Sequence, residues 1–241
     1  MPVTIAITAD RRAQGPIVKS NKIRPPQSEI FLKEALVTSL KNCGADVILL
    51  PPDSSANLVQ WVLKHCDGVV VSGGAFDIDP SWYGQETCAR IDHTDEGRTQ
   101  FEIALIQECI AQDIPLLGIC GGMQAMAVAT GGTLIQDIST QIPNSLEHEQ
   151  LTDPKEGWHE VAFCVEHWQS WFGTDRIQVN STHHQAVLNL GRFQATGYSK
   201  DGIVECFEDN SLHFCVGVQW HPELLDTRIF QAFIKRIQDK S

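Results

Sequence analysis

Basic residues are scarce in this chain: 18 Lys and Arg stand against 30 Asp and Glu in 241 residues, a formal net charge of -12. No cluster of Lys and Arg interleaves with aromatics, which argues against nucleic acid and anionic membrane surfaces as partners. No apolar run is long enough to span a bilayer. The opening residues, Met1-Pro2-Val3-Thr4-Ile5-Ala6-Ile7-Thr8, alternate like a first strand and lack the basic, apolar and small-residue regions of a secretory signal. The eight cysteines contain no CxxC pair, so reduced thiols and a cytoplasmic setting are expected, not a disulfide frame. Neither a P-loop nor a dinucleotide-binding glycine fingerprint is present, leaving nucleotide use unsupported. There is also no internal repeat, low-complexity stretch or linker. At 42% hydrophobic and 20% charged residues the chain fits one ordinary α/β domain over residues 1–241, with a core large enough to need no disulfide or metal.

What is present alternates. Strand patterns at Val3–Thr8, Val47–Leu50, Gly68–Ser72 and Ile114–Ile119 are separated by helical patterns around Ser28–Cys43, Asn57–His65 and from Thr99, where Thr99 and Glu102 have capping-box spacing. Such alternation predicts a mostly parallel sheet covered on both faces. The second half reads as strands at Leu134–Ile138, Glu160–Val165, Ile177–Asn180, Phe193–Gly197, Ile203–Glu208 and Phe214–Trp220. A last amphipathic helix from about Thr227 carries Ile229, Phe230, Phe233, Ile234 and Ile237 on one stripe. The segment Arg11–Gln27, with three prolines, has no pattern and reads as a loop that could move near a site.

The most informative residues are Gly118-Ile119-Cys120-Gly121-Gly122. They follow an apolar strand and precede a helical stretch, Met123 to Thr130, that stops at Gly131-Gly132. This is the G-x-S-x-G nucleophile elbow with sulfur in place of oxygen. A cysteine there sits at a helix N-terminus, where unpaired N–H groups and the helix dipole favour the thiolate. The bland reading is a core cysteine lying near glycines.

A cysteine nucleophile needs a base, a group to orient the base, and an oxyanion site. His221 stands where the strand Phe214–Trp220 ends, and Glu223 lies two residues on, within reach of the imidazole in an extended segment. Taken alone, His221-Pro222-Glu223 reads more simply as a surface turn; the elbow makes it a base candidate. Oxyanion donors could come from the backbone N–H of Gly121 and from the glycine turn Ser72-Gly73-Gly74. Elbow, base and glycine turn all follow strands at their C-terminal ends, where open α/β sheets carry their sites.

Together, Gly118–Gln124, Gly73-Gly74 and His221-Pro222-Glu223 resemble the class I glutamine amidotransferase superfamily, and more narrowly the γ-glutamyl-γ-aminobutyrate hydrolase-like group of the C26 peptidases. Ser72–Pro80, Gly131–Ile138 and Val179–Val187 support the narrower resemblance, which covers nearly the whole chain. It implies a flavodoxin-like three-layer α/β sandwich and a Cys120, His221, Glu223 triad. It also implies oxyanion donors at Gly74 and Gly121, and glutamyl contacts from Gln124, His183, His184 and Gln185. The implied activity is hydrolysis of a γ-glutamyl amide through a thioester, with a small-molecule γ-glutamyl substrate and no cofactor or metal. Two positions depart from the family pattern. Gly121 stands where γ-glutamyl-γ-aminobutyrate hydrolases usually have arginine, which bears on the leaving group. Arg98-Thr99 replaces an Arg-Asp pair.

Two other readings stay open: a glutaminase module feeding ammonia to a synthetase, and a catalytically inactive regulatory member. The oligomeric state is also open, a homodimer included. A metal at His183-His184 with His213 and Cys215 is disfavoured because no tetrahedral spacing emerges. Asp77 and Asp79 read as turn residues, and Arg98 as a surface residue or a partner of Glu96. Trp158, Trp168 and Trp171 read as core or lid packing.

Overall fold

The computed structural model describes residues 2–240 apart from 15, 16, 20, 21, 25, 26, 53 and 54, with backbone alone at the remaining positions between 13 and 27. The chain begins with β1 (Val3–Thr8) and then a region of short ladders. In it β2 (Asp10–Gln14) pairs antiparallel with β5 (Gln27–Phe31), and β3 (Ile17–Lys19) with β4 (Lys22–Arg24). The expectation of an unpatterned segment at Arg11–Gln27, and of a helix from Ser28, is therefore corrected wherever residues are described. The β2–β5 pairing joins segments distant along the chain, and the three-residue strands β3 and β4 are too short to show a period. The helix itself, α1 (Glu34–Asn42), starts six residues later than expected and buries Leu36, Ser39 and Leu40.

Regular alternation follows with β6 (Ala45–Leu50), α2 (Ala56–His65), β7 (Gly68–Val71), α3 (Glu96–Ala111), β8 (Leu116–Ile119) and α4 (Gly121–Ala129). Then come β9 (Thr133–Ile135), α5 (Ile138–Gln141), β10 (His159–Phe163), α6 (Glu166–Phe172), β11 (Arg176–Val179) and β12 (Ala186–Asn189). The chain closes with β13 (Gln194–Ser199), β14 (Val204–Glu208), β15 (Cys215–Val218) and α7 (Arg228–Lys240).

Nine strands form the main sheet in the order β11-β10-β13-β14-β15-β8-β7-β1-β6. The five from β15 to β6 are mutually parallel, and β14, β13, β10 and β11 extend the sheet antiparallel. Strand periodicity divides the core between two faces. Ala6, Val69, Val71 and Leu116 pack with Val59 and Val62 of α2, Phe101 and Leu105 of α3, and Met123 and Met126 of α4. Their neighbours Ile5, Ile7, Val70, Leu117 and Ile119 face the opposite way, onto Leu36 and Leu40 of α1, Trp168 and Phe172 of α6, and Phe230 and Phe233 of α7. Each such large side chain removed from water contributes about 1.5–3 kcal/mol. This is the flavodoxin-like three-layer sandwich. No helix among the described residues is long and apolar enough to cross a membrane.

Helix α3 departs from its expected start. Asp95 caps it by accepting from the Arg98 N–H at 3.0 Å, so Thr99 and Glu102 lie inside the helix and form no capping box. Glu102 instead faces the interior, where its carboxylate accepts from Arg98 at 2.8 Å and from the Thr8 hydroxyl at 2.7 Å. The expectation of a surface Arg98 is corrected with it: that side chain is fully buried. At the C-terminal edge of the parallel strands, β7 runs into Ser72-Gly73-Gly74, β8 into Cys120 and β15 toward His221. These three strands are adjacent, which brings distant parts of the chain to one place.

Candidate active site

Cys120 joins β8 to α4 with φ 51 and ψ -111, a backbone state that a side chain rarely adopts. Holding a non-glycine residue there costs about 1–3 kcal/mol, which the surrounding packing must offset. The flanking glycines serve a different end from the turn itself. A Cβ on Gly118 would meet the Met126 Sδ at 2.5 Å, and one on Gly122 would meet the Val71 carbonyl oxygen at 2.0 Å. They let α4 press against β7 and β8, while the strained conformation falls on the cysteine. The Cys120 side chain, 5% exposed, lies at the first turn of α4.

His221 arrives from β15 and is fastened by its backbone. Its N–H donates to Asn180 Oδ1 at 2.8 Å, and its carbonyl accepts from Asn180 Nδ2 at 3.0 Å. The extended geometry expected for His221-Pro222-Glu223 is replaced by a single 3-10 turn over Pro222–Leu224, nucleated by the fixed φ of proline. That turn folds the carboxylate back, and Glu223 Oε1 lies 2.8 Å from His221 Nδ1. Because Glu223 accepts, it holds the proton on Nδ1 and leaves Nε2 for the thiol.

The electrostatics form a coupled pair. Burial pushes the Cys120 thiol up, but the charge of His221 and its hydrogen bond to the sulfur outweigh that and bring the thiol below its ordinary value. Burial works the other way on His221, and the thiolate and Glu223 overcome it, pushing the imidazole up to about 10. Glu223 lies below the usual carboxylate range despite its burial because His221 faces it. The arrangement favours thiolate, imidazolium and carboxylate in a row.

The turn after β7 closes the other side. A Cβ on Gly73 would lie 2.9 Å from His221 Cε1 and 3.1 Å from Cys120 Cβ, so only glycine lets this backbone approach so closely. Gly74 and Gly121 also converge, since a Cβ on Gly121 would sit 3.9 Å from the Gly74 nitrogen. Arg98 grips the turn from behind. Its guanidinium donates to the Ser72 carbonyl at 2.8 Å and the Gly73 carbonyl at 3.4 Å, pairs with Asp10 at 2.8 Å, and lies 4.1 Å over the Phe76 ring.

A cavity of about 220 Å³ opens in front of the sulfur, and Gly74, Cys120, Gly121, Gln124, His183, His184 and Gln185 all line it. The side chains of the last four are differently employed. Gln124 Nε2 donates to the Gln185 carbonyl at 3.0 Å. Burial and the neighbouring His148 drive the His183 imidazole well below its ordinary value, and it bonds Ser181 and the Gln185 carbonyl. His184 is held above its usual value, against its burial, by Asp77 at 3.0 Å. Gln185 turns its amide to the Gln136 carbonyl at 3.3 Å, so its backbone is what lies nearest Gln124.

Sequence reasoning gave Asn180 no separate weight, read Asp77 as a turn residue, and read Arg98 as a surface residue or a partner of Glu96. Asn180 and Asp77 carried no motif of their own, since each works through a contact made across the fold. Arg98 gave a usable signal, an i,i+4 pairing with Glu102 in a helix otherwise rich in buried apolar residues. Asp79 does what a turn aspartate does, accepting from the Ser81 N–H at 2.9 Å, whereas Asp77 engages His184. Trp168 is core, but Trp158 sits apart, donating to the Glu147 carbonyl.

Known proteins share this framework. Over 211 residues the chain is 34% identical to the glutamine amidotransferase-like protein YvdE of Lactococcus lactis, covering 84% of this chain and 87% of that one. It is 30% identical over 229 residues to the γ-glutamyl-γ-aminobutyrate hydrolase PuuD of Escherichia coli, covering 86% of each. The glutaminase domain of Trypanosoma brucei CTPS, solved with bound acivicin, superposes with a TM-score of 0.64 at 15% identity over 99% of this chain and 95% of that one. The family model of Peptidase C26 matches residues 4–223. With the match running from β1 to the glutamate beside His221, the chain belongs to the peptidase C26 family of glutamine amidotransferase-like proteins.

Proposed function

We propose that this protein is a cysteine hydrolase of γ-glutamyl amides, with Cys120 as nucleophile, His221 as acid and base, and Glu223 as the group that orients His221. The observation carrying this reading is that Cys120, coupled to the His221 imidazole, lines a cavity together with Gly74 and Gly121. The thiolate attacks the γ-carbonyl carbon, and the carbonyl electrons move onto oxygen, where the Gly74 and Gly121 N–H groups receive the charge. The tetrahedral centre collapses, the C–N bond breaks, and the departing amine takes the proton from His221 Nε2. His221, now neutral, removes a proton from water as it attacks the thioester. Glutamate leaves and the thiolate is restored.

Space beyond the first cavity supports an amine larger than ammonia. A second cavity of about 390 Å³ shares His183, His184 and Glu149 with the first and runs along Ile138–Leu146. Gly121 places no side chain between sulfur and this space, where the resemblance leads one to expect arginine. The test compares glutamate release from glutamine, γ-glutamyl-γ-aminobutyrate and a γ-glutamyl dipeptide. Higher kcat/KM on the substituted amides is the expected result. Turnover of none of the three would sink the reading.

The glutaminase reading keeps the same chemistry, and the likeness to a CTPS glutaminase domain favours it. Glutamine as the one accepted substrate, with activity rising when a synthetase is added, would select it.

Arg98 gives a separate prediction about the oxyanion turn. Lysine cannot reproduce the planar fork that serves Glu102, Asp10 and the Ser72 carbonyl together. Arg98→Lys is expected to lower kcat by on the order of 10²-fold with little change in KM, as loss of an aligned oxyanion donor does. A kcat within twofold of the parent enzyme, in a folded variant, would show that the turn holds its shape unaided.

A further inference from the structure

Behind His183, which lines the active-site cavity and packs against His148, three buried side chains from separate segments meet. His148 comes from the loop after α5, His159 from the start of β10, and Glu205 from β14. All three are buried, Glu205 completely. One Glu205 oxygen, Oε1, lies 3.5 Å from His148 Nδ1 and 3.4 Å from His159 Nε2. Among the described residues neither oxygen of Glu205 makes a hydrogen bond, and neither does His159 Nε2.

The outward nitrogens explain why this is unusual. His148 Nε2 faces the Asp201 carboxylate at 3.1 Å, and His159 Nδ1 faces the Glu160 carbonyl at 3.4 Å. Both partners can only accept, so each ring, when neutral, carries its proton on the outward nitrogen. The inward nitrogens, His148 Nδ1 and His159 Nε2, then present lone pairs toward the same carboxylate oxygen. Three electron-rich atoms converge. The hydroxyl near them, that of Ser181, is 3.2 Å from His148 Nδ1 but is shared with the His148 carbonyl at 2.9 Å and His183 Nε2 at 3.1 Å. His159 Nε2 and both Glu205 oxygens have no hydrogen-bond partner among the described residues.

The separations also differ from those of hydrogen bonds, which would draw these atoms to about 2.7–3.2 Å. Ligands at 2.0–2.1 Å in tetrahedral array around Zn²⁺ lie about 3.3 Å from one another. The outer contacts match as well, because a ligating histidine generally gives its other N–H to a carboxylate or a backbone carbonyl. Charge closes too: Glu205 and Asp201 together balance a divalent cation.

We propose that His148, His159 and Glu205 bind a divalent transition cation of the Zn²⁺ class, in a structural site distinct from Cys120 and His221. The Ser181 hydroxyl lies 3.2 Å from His148 Nδ1. Ser181 adjoins Asn180, which fastens the His221 backbone, so the ion would stiffen the floor on which the base rests. Sequence spacing could not reveal the set, since its members lie 11 and 46 residues apart, as counted along the chain.

The test uses the full chain as Cys120→Ser, which removes the nucleophilic thiol as a competing ligand. The protein is stripped with a chelator, dialysed against zinc chloride, and analysed for metal content, melting temperature and, with Co²⁺, visible absorption. The expected result is one zinc per chain, a melting temperature raised by about 5 °C or more, and a tetrahedral cobalt spectrum without thiolate charge transfer. Glu205→Gln and His159→Gln should each bind less than a tenth as much. If either variant does not fold, the cobalt spectrum of the Cys120→Ser chain decides. Substoichiometric zinc with no melting shift would overturn the proposal in favour of a proton-sharing network. So would thiolate bands, or undiminished binding in folded Glu205→Gln.

Discussion

Cys120→Ala is expected to reduce glutamate release from every γ-glutamyl substrate by at least about 10⁴-fold while leaving the fold intact. The size follows from the role. Removing the sulfur removes the thioester route altogether, and what remains is activation of the carbonyl by the Gly74 and Gly121 N–H groups. The fold should survive because the site is costly to the native state. Cys120 holds φ at 51 inside a buried turn, and alanine fits the same volume without a thiolate to desolvate. Thermal melting and circular dichroism of the purified variant check the second half of the expectation. Turnover near that of the parent chain, in a preparation free of contaminating hydrolase, would remove Cys120 from the mechanism.

His221→Ala is expected to act on the same sulfur from a distance. In the parent chain the imidazolium charge and hydrogen bond overcome the burial that raises the thiol. Alanine removes both and leaves burial in command, so the thiol should titrate at or above its ordinary value of 9.0. At neutral pH that leaves on the order of 1% thiolate. The sign can be read directly from alkylation of Cys120 by iodoacetamide as pH is varied. In the parent chain the rate should level off at a lower pH than that of an ordinary thiol. In the variant it should be slow at neutral pH and still climbing in alkali. Hydrolysis should fall further, by about 10³-fold or more, because the general acid and base is gone as well as the thiolate. The parent chain should also lose hydrolysis as pH passes about 10, where His221 gives up its proton and no acid remains for the leaving amine. Coincident alkylation profiles in the two proteins would show that the sulfur is not activated by this ring.

Much of the fold was readable because most strands and helices announce themselves through local spacing. Val69-Val70-Val71 divides its side chains between two cores, and the last helix carries one apolar stripe, as each pattern requires. The ladders between Asp10 and Phe31 were not readable, since β2 meets its partner only when the chain returns and β3 and β4 have three residues each. The first turn of α3 was misplaced for a related reason. Thr99 and Glu102 have the spacing of a cap, but Asp95 takes that office and Glu102 is drawn inward by Arg98 and Thr8. A buried ion pair looks the same in sequence as a solvated one.

The candidate site divides along the same line. Sequence alone was enough to mark Cys120 in its elbow, His221 with Glu223, and the glycine turn at Gly74, because each is a short motif whose chemistry is carried by adjacent residues. It also excluded a membrane-spanning run and a nucleotide loop. Only the tertiary structure decided that β7, β8 and β15 stand side by side, so that Cys120 and His221, 101 positions apart along the chain, end in contact. Only it decided that Arg98 is buried behind the Ser72-Gly73-Gly74 turn, that Asn180 fastens the His221 backbone, and that His148, His159 and Glu205 converge. The physical reason is range. Propensity and turn chemistry act over a few residues, whereas burial, charge pairing and the alignment of lone pairs depend on distances that the sheet order sets.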